Sequence, residues 1–405
     1  MPAGQDWRMP TFGRSMREHW LLDPDVVYLN HGTVGAPPKR VLRKQQELRD
    51  EMERQPSQFV LRELNAEQPM PWRAESRLRE AAGRVAPFLG ARPDDLVFVP
   101  NVTTGLNAVL RSVPLGPGDE VVIADLAYGA VTIAARLVAG ERGATLRIVE
   151  MPYPIRESGE IVDAFVSALT PRTKLVVADH ITAQTALVLP IATIAAACRE
   201  RGVPILVDGA HAPGSIAVDI PAIGADWYSA NLHKWAHAPR SCGILWAKPE
   251  HQATLRHPVI SWGSGHGFHA EFEHQATCDP TSYLAAPEGI ALLREWDFDA
   301  VRAYMHALAR EAAGVLTGRW GTTVGVPDDM IGAMVTVPLP EAAGKTTEDA
   351  TRLRLALLVE DRIEVQLHAW RGRLWTRVSA QVYNDRADIE RLAKAVERRT
   401  LVASP

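Results

Sequence analysis

Between residues 78 and 207 short apolar runs alternate with helical stretches, and few architectures accommodate that rhythm. Residues 96–99, 120–123, 145–149, 174–178 and 204–207 read as strands, while 128–142 repeats its apolar residues at helical spacing. Strands that are apolar on both faces need cover on both faces. The pattern therefore predicts an α/β fold around a mainly parallel sheet, with ligands bound beyond the carboxyl ends of its strands. After about residue 290 the texture changes. Val301, Tyr304, Met305, Leu308, Ala312 and Val315 form one apolar helix face. Strands at 334–337, 363–367 and 374–382, a helix at 347–359 and a last helix from Asn384 or Asp385 follow. These predict a smaller α+β domain with an antiparallel sheet. The division expected is an arm over 1–27 with a helical piece near 14–20, a large domain over 28–290 and a small one over 291–405. Residues 55–72, punctuated by prolines, read as a surface loop or interface segment.

Composition narrows the partners. Charged residues make up 23% and hydrophobic ones 46%, and the net charge is only −4, without a basic tail or an acidic block. Nothing in that balance attracts nucleic acid or an anionic membrane. No run approaches the roughly 18 apolar residues of a membrane span, and the charged N-terminus lacks a signal-peptide core. Cys198, Cys242 and Cys278 are scattered and odd in number, which fits neither a disulfide framework nor a zinc site. A cytoplasmic protein is expected.

The chemistry concentrates at strand ends. Asp208 closes an apolar run, and Lys234 follows in Asn231-Leu232-His233-Lys234-Trp235. A lysine amine can bond covalently to an aldehyde, and a buried carboxylate can keep a pyridine nitrogen protonated. That pair is what holding pyridoxal phosphate requires, although a surface lysine after a loop has the same local sequence. Thr103 and Thr104 open a helix whose free amides suit a phosphate; they equally suit a plain N-cap. Tyr128 follows a strand and can stack on a flat ring or fill a core. His180 also follows a strand. Arg377 can clamp a carboxylate in two-pronged fashion, or stand as a solvated strand-face arginine. No nucleotide P-loop is present. The two histidines of His233-Lys234-Trp235-Ala236-His237 lack the glutamate of a zinc protease, and those of 262–274 lack a ligand spacing, so no metal is expected.

Four segments carry a resemblance: Tyr28-Leu29-Asn30-His31-Gly32, Val207-Asp208-Gly209-Ala210-His211-Ala212-Pro213-Gly214, Asn231-Leu232-His233-Lys234-Trp235, and Arg377-Val378-Ser379-Ala380-Gln381-Val382-Tyr383-Asn384. They resemble the class V aminotransferase family of fold-type-I pyridoxal phosphate enzymes, on its isopenicillin N epimerase-like branch. The resemblance implies pyridoxal 5'-phosphate as cofactor, covalently held by Lys234, with Asp208 on the ring nitrogen. It places Thr103, Thr104 and His233 near the phosphate, Tyr128 over the ring and His211 by the ring oxygen, with His180 and Thr182 also lining the cofactor. Arg377 would hold the carboxylate of a small amino-acid substrate, with Asn30 and His31 expected beside it; the second proton group that epimerisation needs is expected to be His31 or another polar group of the 28–35 loop. A homodimer with shared active sites is implied, Thr277 reaching the neighbouring subunit's phosphate. Two departures stand out. Ala183 and Gln184 occupy positions where relatives often carry serine and proline, and residues 300–405 contain no cysteine, which argues against desulfuration through a protein persulfide. Epimerisation at an amino-acid α-carbon is the expected reaction. A C–S lyase, an aminotransferase and a non-catalytic binding protein are the alternatives.

Overall fold

The computed structural model describes residues 11–64 and 73–401, and the chain divides into two compact units. The larger comprises Gly32–Ile290 with Gly325–Gly332. The smaller comprises Ala291–Val324 with the described parts of Met1–His31 and Ala333–Pro405. In chain order the strands are β1 Val27–Tyr28, β2 Leu96–Val99, β3 Glu120–Ala124, β4 Thr145–Val149, β5 Thr173–Asp179 and β6 Ile205–Asp208. After them come β7 Trp227–Asn231, β8 Gly243–Ala247, β9 Met334–Pro338, β10 Ile363–Glu364, β11 Gln366–Trp370 and β12 Arg373–Ser379.

In the larger unit seven strands form one sheet in the order β2-β8-β7-β6-β5-β3-β4. β3 to β6 run parallel, as their apolar runs predict, and β7, not among the expected strands, continues them, while β8 is antiparallel to both β7 and β2. β2, β3, β6, β7 and β8 are buried along their whole length, so the sheet is covered on both faces except at its β4 edge, which is largely exposed. Helices α1, Val102–Ser112, and α2, Gly129–Glu141, follow β2 and β3 directly. Two glycines set the packing under the strand ends. A side chain at Gly105 would run into Ser229 of β7, and one at Gly209 into the ring of Tyr228. Only a residue without Cβ lets α1 and the turn after β6 come that close.

The stretch expected as a loop is partly helical: Pro56–Gln58 forms a helical turn and Phe59–Glu63 a π-helix. Its anchor is Arg77, whose guanidinium lies 4.1 Å from the Phe59 ring centroid and whose Nε donates to Glu63 at 2.8 Å. Residues 65–72 of that stretch lie outside the described residues.

In the smaller unit β11-β12-β9 form an antiparallel sheet, and β1 pairs in parallel with β10. The strand expected over 363–367 is thus two strands that break at Val365, one pairing with β1 and the other with β12. Helices α3, Phe298–Trp320, α4, Thr347–Val359, and α5, Arg386–Leu401, complete the unit. The helical piece near the N-terminus is a 3-10 helix, Arg14–His19. This segment is stitched into the smaller unit: Gly13 donates its N–H to the Val382 carbonyl at 2.7 Å, and Trp20 meets the Tyr383 ring edge-on at 4.8 Å. Among the described residues no helix is long and apolar enough to cross a membrane.

Candidate active site

In the larger unit the residues singled out from sequence collect at the carboxyl ends of β2, β3, β5, β6 and β7. Asn101 caps α1. Its Oδ1 accepts the Thr104 N–H at 3.0 Å and the Thr104 hydroxyl at 3.3 Å, while Asn231 at the end of β7 accepts the Val102 N–H at 3.0 Å. The two asparagines satisfy the amides on either side of Thr103. The Thr103 amide and hydroxyl have no partner among the described residues. A helix start with its cap in place and one orphan donor suits an anionic oxygen.

Asp208 and Asp179 end adjacent parallel strands in register, and both are buried. Asp208 Oδ1 accepts the Ala210 N–H at 2.9 Å. Burial pushes its carboxyl up to about 6, with the charge of Lys234 pulling the other way. Asp179 is also raised well above the usual range, by burial and then by the neighbouring Asp208 charge, and it accepts the Tyr128 N–H. A carboxylate stripped of water in this way calls for a cationic partner, and a protonated pyridine nitrogen is one. Tyr128, which opens α2, is half exposed, so it is not a core tyrosine.

Lys234 Nζ lies 3.1 Å from His211 Nε2, and the Trp235 indole N–H donates to His211 Nδ1 at 3.4 Å. An indole nitrogen can only donate. The His211 ring thus stands between the indole donor and the lysine amine. His233 is held by the Cys242 carbonyl, 2.8 Å from Nδ1, and burial lowers its ring to about 4. Its Nε2 is thus an acceptor until an approaching anion raises the ring's proton affinity. His180 Nδ1 bonds the Tyr228 hydroxyl at 2.9 Å, and burial lowers this ring too, to about 4. The Thr182 hydroxyl is taken up inside its own turn, accepting the Leu187 N–H at 2.8 Å and meeting Thr185 Oγ1 at 2.7 Å. Thr277 is exposed and lines a cavity with Leu61, Leu64, Phe98 and Tyr283. The acids of 262–274 serve local structure, and His269 bonds the Asp94 carbonyl at 2.9 Å. Glu271 accepts from the His257 and Gly265 amides, and Glu273 pairs with Arg79.

The smaller unit holds Asn30, His31 and Arg377, all buried. Arg377 Nη2 donates to Asn30 Oδ1 at 3.4 Å, and the Asn30 amide donates to Glu364 Oε1 at 2.7 Å. Burial lowers the guanidinium to about 10, still charged at neutral pH. Arg377 is therefore no solvated strand-face residue. His31 Nδ1 lies 2.8 Å from the Tyr383 hydroxyl.

An aminotransferase class-V family model matches residues 27–392. The chain belongs to that family. It is 32% identical to isopenicillin N epimerase of Streptomyces clavuligerus, covering 95% of this chain and 97% of that one. It is 30% identical to a probable chloroplastic L-cysteine desulfhydrase of Arabidopsis thaliana, covering 92% and 83%. A solved structure of C-DES with glycine covalently linked to its PLP cofactor superposes with a TM-score of 0.75 at 20% identity, covering 94% and 98%. The fold is fold type I, and the cofactor is pyridoxal 5'-phosphate. The residues fit it: an orphan amide at a capped helix start, a carboxylate stripped of water by burial and a lysine amine turned toward an imidazole. Sequence reasoning missed Asp179, Asn101, Asn231 and Tyr228. Asp179 carried a signal, since it closes an apolar run as Asp208 does.

Proposed function

We propose that this class-V enzyme moves a proton at the α-carbon of an amino acid and that its reaction is epimerisation. The observation that carries the reading is the Lys234–His211–Trp235 arrangement: an amine 3.1 Å from an imidazole that a neighbouring indole also holds. When bound, pyridoxal phosphate supplies a covalent anchor for the amino group and an electron sink for the α-carbon. The chain does the rest. Lys234 takes the α-proton, and His211 steadies the amine. Asp208 keeps the ring nitrogen protonated. Thr103, Thr104 and His233 bind the phosphate, with Tyr128 stacked on the ring. Arg377, oriented by Asn30, fixes the substrate carboxylate. His31, whose Nδ1 lies 2.8 Å from the Tyr383 hydroxyl, returns a proton to the opposite face. Thr277 belongs to a homodimer interface in this reading, reaching the neighbouring subunit's phosphate, and the compartment is the cytoplasm.

End-to-end similarity to isopenicillin N epimerase supports epimerisation, and similarity to L-cysteine desulfhydrase supports a lyase as second reading. Sulfur transfer onto the protein is not proposed. Cys198 and Cys242 are buried with thiols pushed up in pKa, and residues 300–405 contain no cysteine. Incubation of candidate L-amino acids in deuterated water separates the readings. Epimerisation gives the α-deuterated D-isomer without pyruvate. Release of pyruvate and ammonia with no D-isomer overturns it in favour of the lyase.

A further inference from the structure

The small sheet has two unlike faces. Leu367, Leu374, Val378, Val335 and Val337 alternate onto one, and all are buried apolar residues. The other carries Gln366 and His368 from β11, Trp375, Arg377 and Ser379 from β12, and Thr336 from β9. The register fixes this, pairing Gln366 with Arg377, His368 with Trp375 and Arg377 with Thr336. His368 is therefore a diagonal neighbour of Arg377 on one face. The two are close enough for the guanidinium's charge to act on the ring, adding to burial in lowering it to about 4.

His368 is only 6% exposed, and neither of its ring nitrogens has a hydrogen-bond partner among the described residues. Buried polar atoms are as a rule paired, and one left unpaired is destabilising. A neutral imidazole has one donor and one acceptor to offer, and here both are unmet beside a buried cation. A carboxylate accepts through several lone pairs, more than one guanidinium edge fills when Arg377 already donates to Asn30. A neutral N–H adds a donor there without burying a second positive charge.

We propose that His368 is a substrate-binding residue, its ring N–H donating to the amino-acid carboxylate that Arg377 holds. The inference rests on the reading of Arg377 as the carboxylate clamp. Calorimetry on the full-length holoenzyme tests it with 2-aminoisobutyrate, which has no α-proton to lose, and isopropylamine, the same ligand without its carboxylate. His368→Ala is expected to weaken 2-aminoisobutyrate about tenfold and leave isopropylamine unchanged, with His368→Asn recovering part of the loss through its amide donor. In the wild-type protein the His368 ring ¹⁵N resonances are expected to shift with 2-aminoisobutyrate and stay put with isopropylamine. Equal effects on both ligands, or ring resonances that ignore the carboxylate, overturn the proposal. Arg377→Ala is the control. If it leaves the preference for 2-aminoisobutyrate intact, the clamp reading itself fails; if it removes the preference while His368→Ala does not, only the role of His368 falls.

Discussion

Both units leave some buried polar atoms unmet, but around the candidate residues the two differ. In the larger, most functional side chains already have partners drawn from the same unit: Asn101 on Thr104, Trp235 on His211, Cys242 on His233 and Tyr228 on His180. In the smaller, the His368 ring and the Ser379 hydroxyl are buried on the face of Arg377 with no partner among the described residues. Satisfied networks hold a geometry in advance. Unmet buried donors mark where a ligand's own polar atoms belong. If the proposed roles hold, the residues assigned to the chemistry are held in advance within the larger unit, and those assigned to the substrate carboxylate stand beside unmet donors within the smaller.

Mutations in the two units are therefore expected to fail in different ways. Lys234→Ala removes the α-proton base, and α-deuterium exchange is expected to fall by at least about a thousandfold; exchange at the wild-type rate would show that another base acts. Asp208→Asn comes next, with kcat down by roughly a hundredfold or more and KM moving little. Arg377→Lys should do the reverse. A point charge replaces a planar fork, so KM is expected to rise by about ten- to a hundredfold with a smaller change in kcat. A kcat collapse at unchanged KM would erase the distinction between the two units.

The pH dependence is a smaller effect of the same contrast. The Asp208 carboxyl rises in the folded chain from 3.8 to about 6, so without cofactor the folded state holds that proton more tightly than the unfolded one. Its contribution to stability is then most favourable below pH 4 and is lost as pH climbs to about 6. Thermal melts of the cofactor-free protein should show wild type losing ground to Asp208→Asn across that window, and a constant difference would refute it. Smallest is the helix cap. Asn101→Ala is expected to cost about 1 kcal/mol in denaturant unfolding, with Thr104 losing the acceptor that holds its amide.

Much of the larger unit was legible because its signals are local. Apolar runs that end in Asp208 or lead into Thr103 report both the strand and the chemistry at its end. β8 escaped because Gly243–Ala247 does not alternate with a helix; it returns antiparallel between β7 and β2. Asp179 lay in plain view, but its importance comes from standing in register with Asp208, a pairing of strands and not of sequence neighbours. The same limit applies to His368. Nine residues separate it from Arg377 along the chain, and only the β11–β12 register puts both on one face. The N-terminal segment reads as an arm because an apolar residue such as Trp20 finds its ring partners, Trp296 and Tyr383, hundreds of positions away.

The account turns on one covalent bond. Borohydride reduction of the holoenzyme followed by peptide mapping locates it. A pyridoxyl group on the peptide containing Lys234, absent from Lys234→Ala, is the expected result. The same group on a different lysine, or its persistence in the variant, would contradict the assignment from which every other role in the larger unit follows.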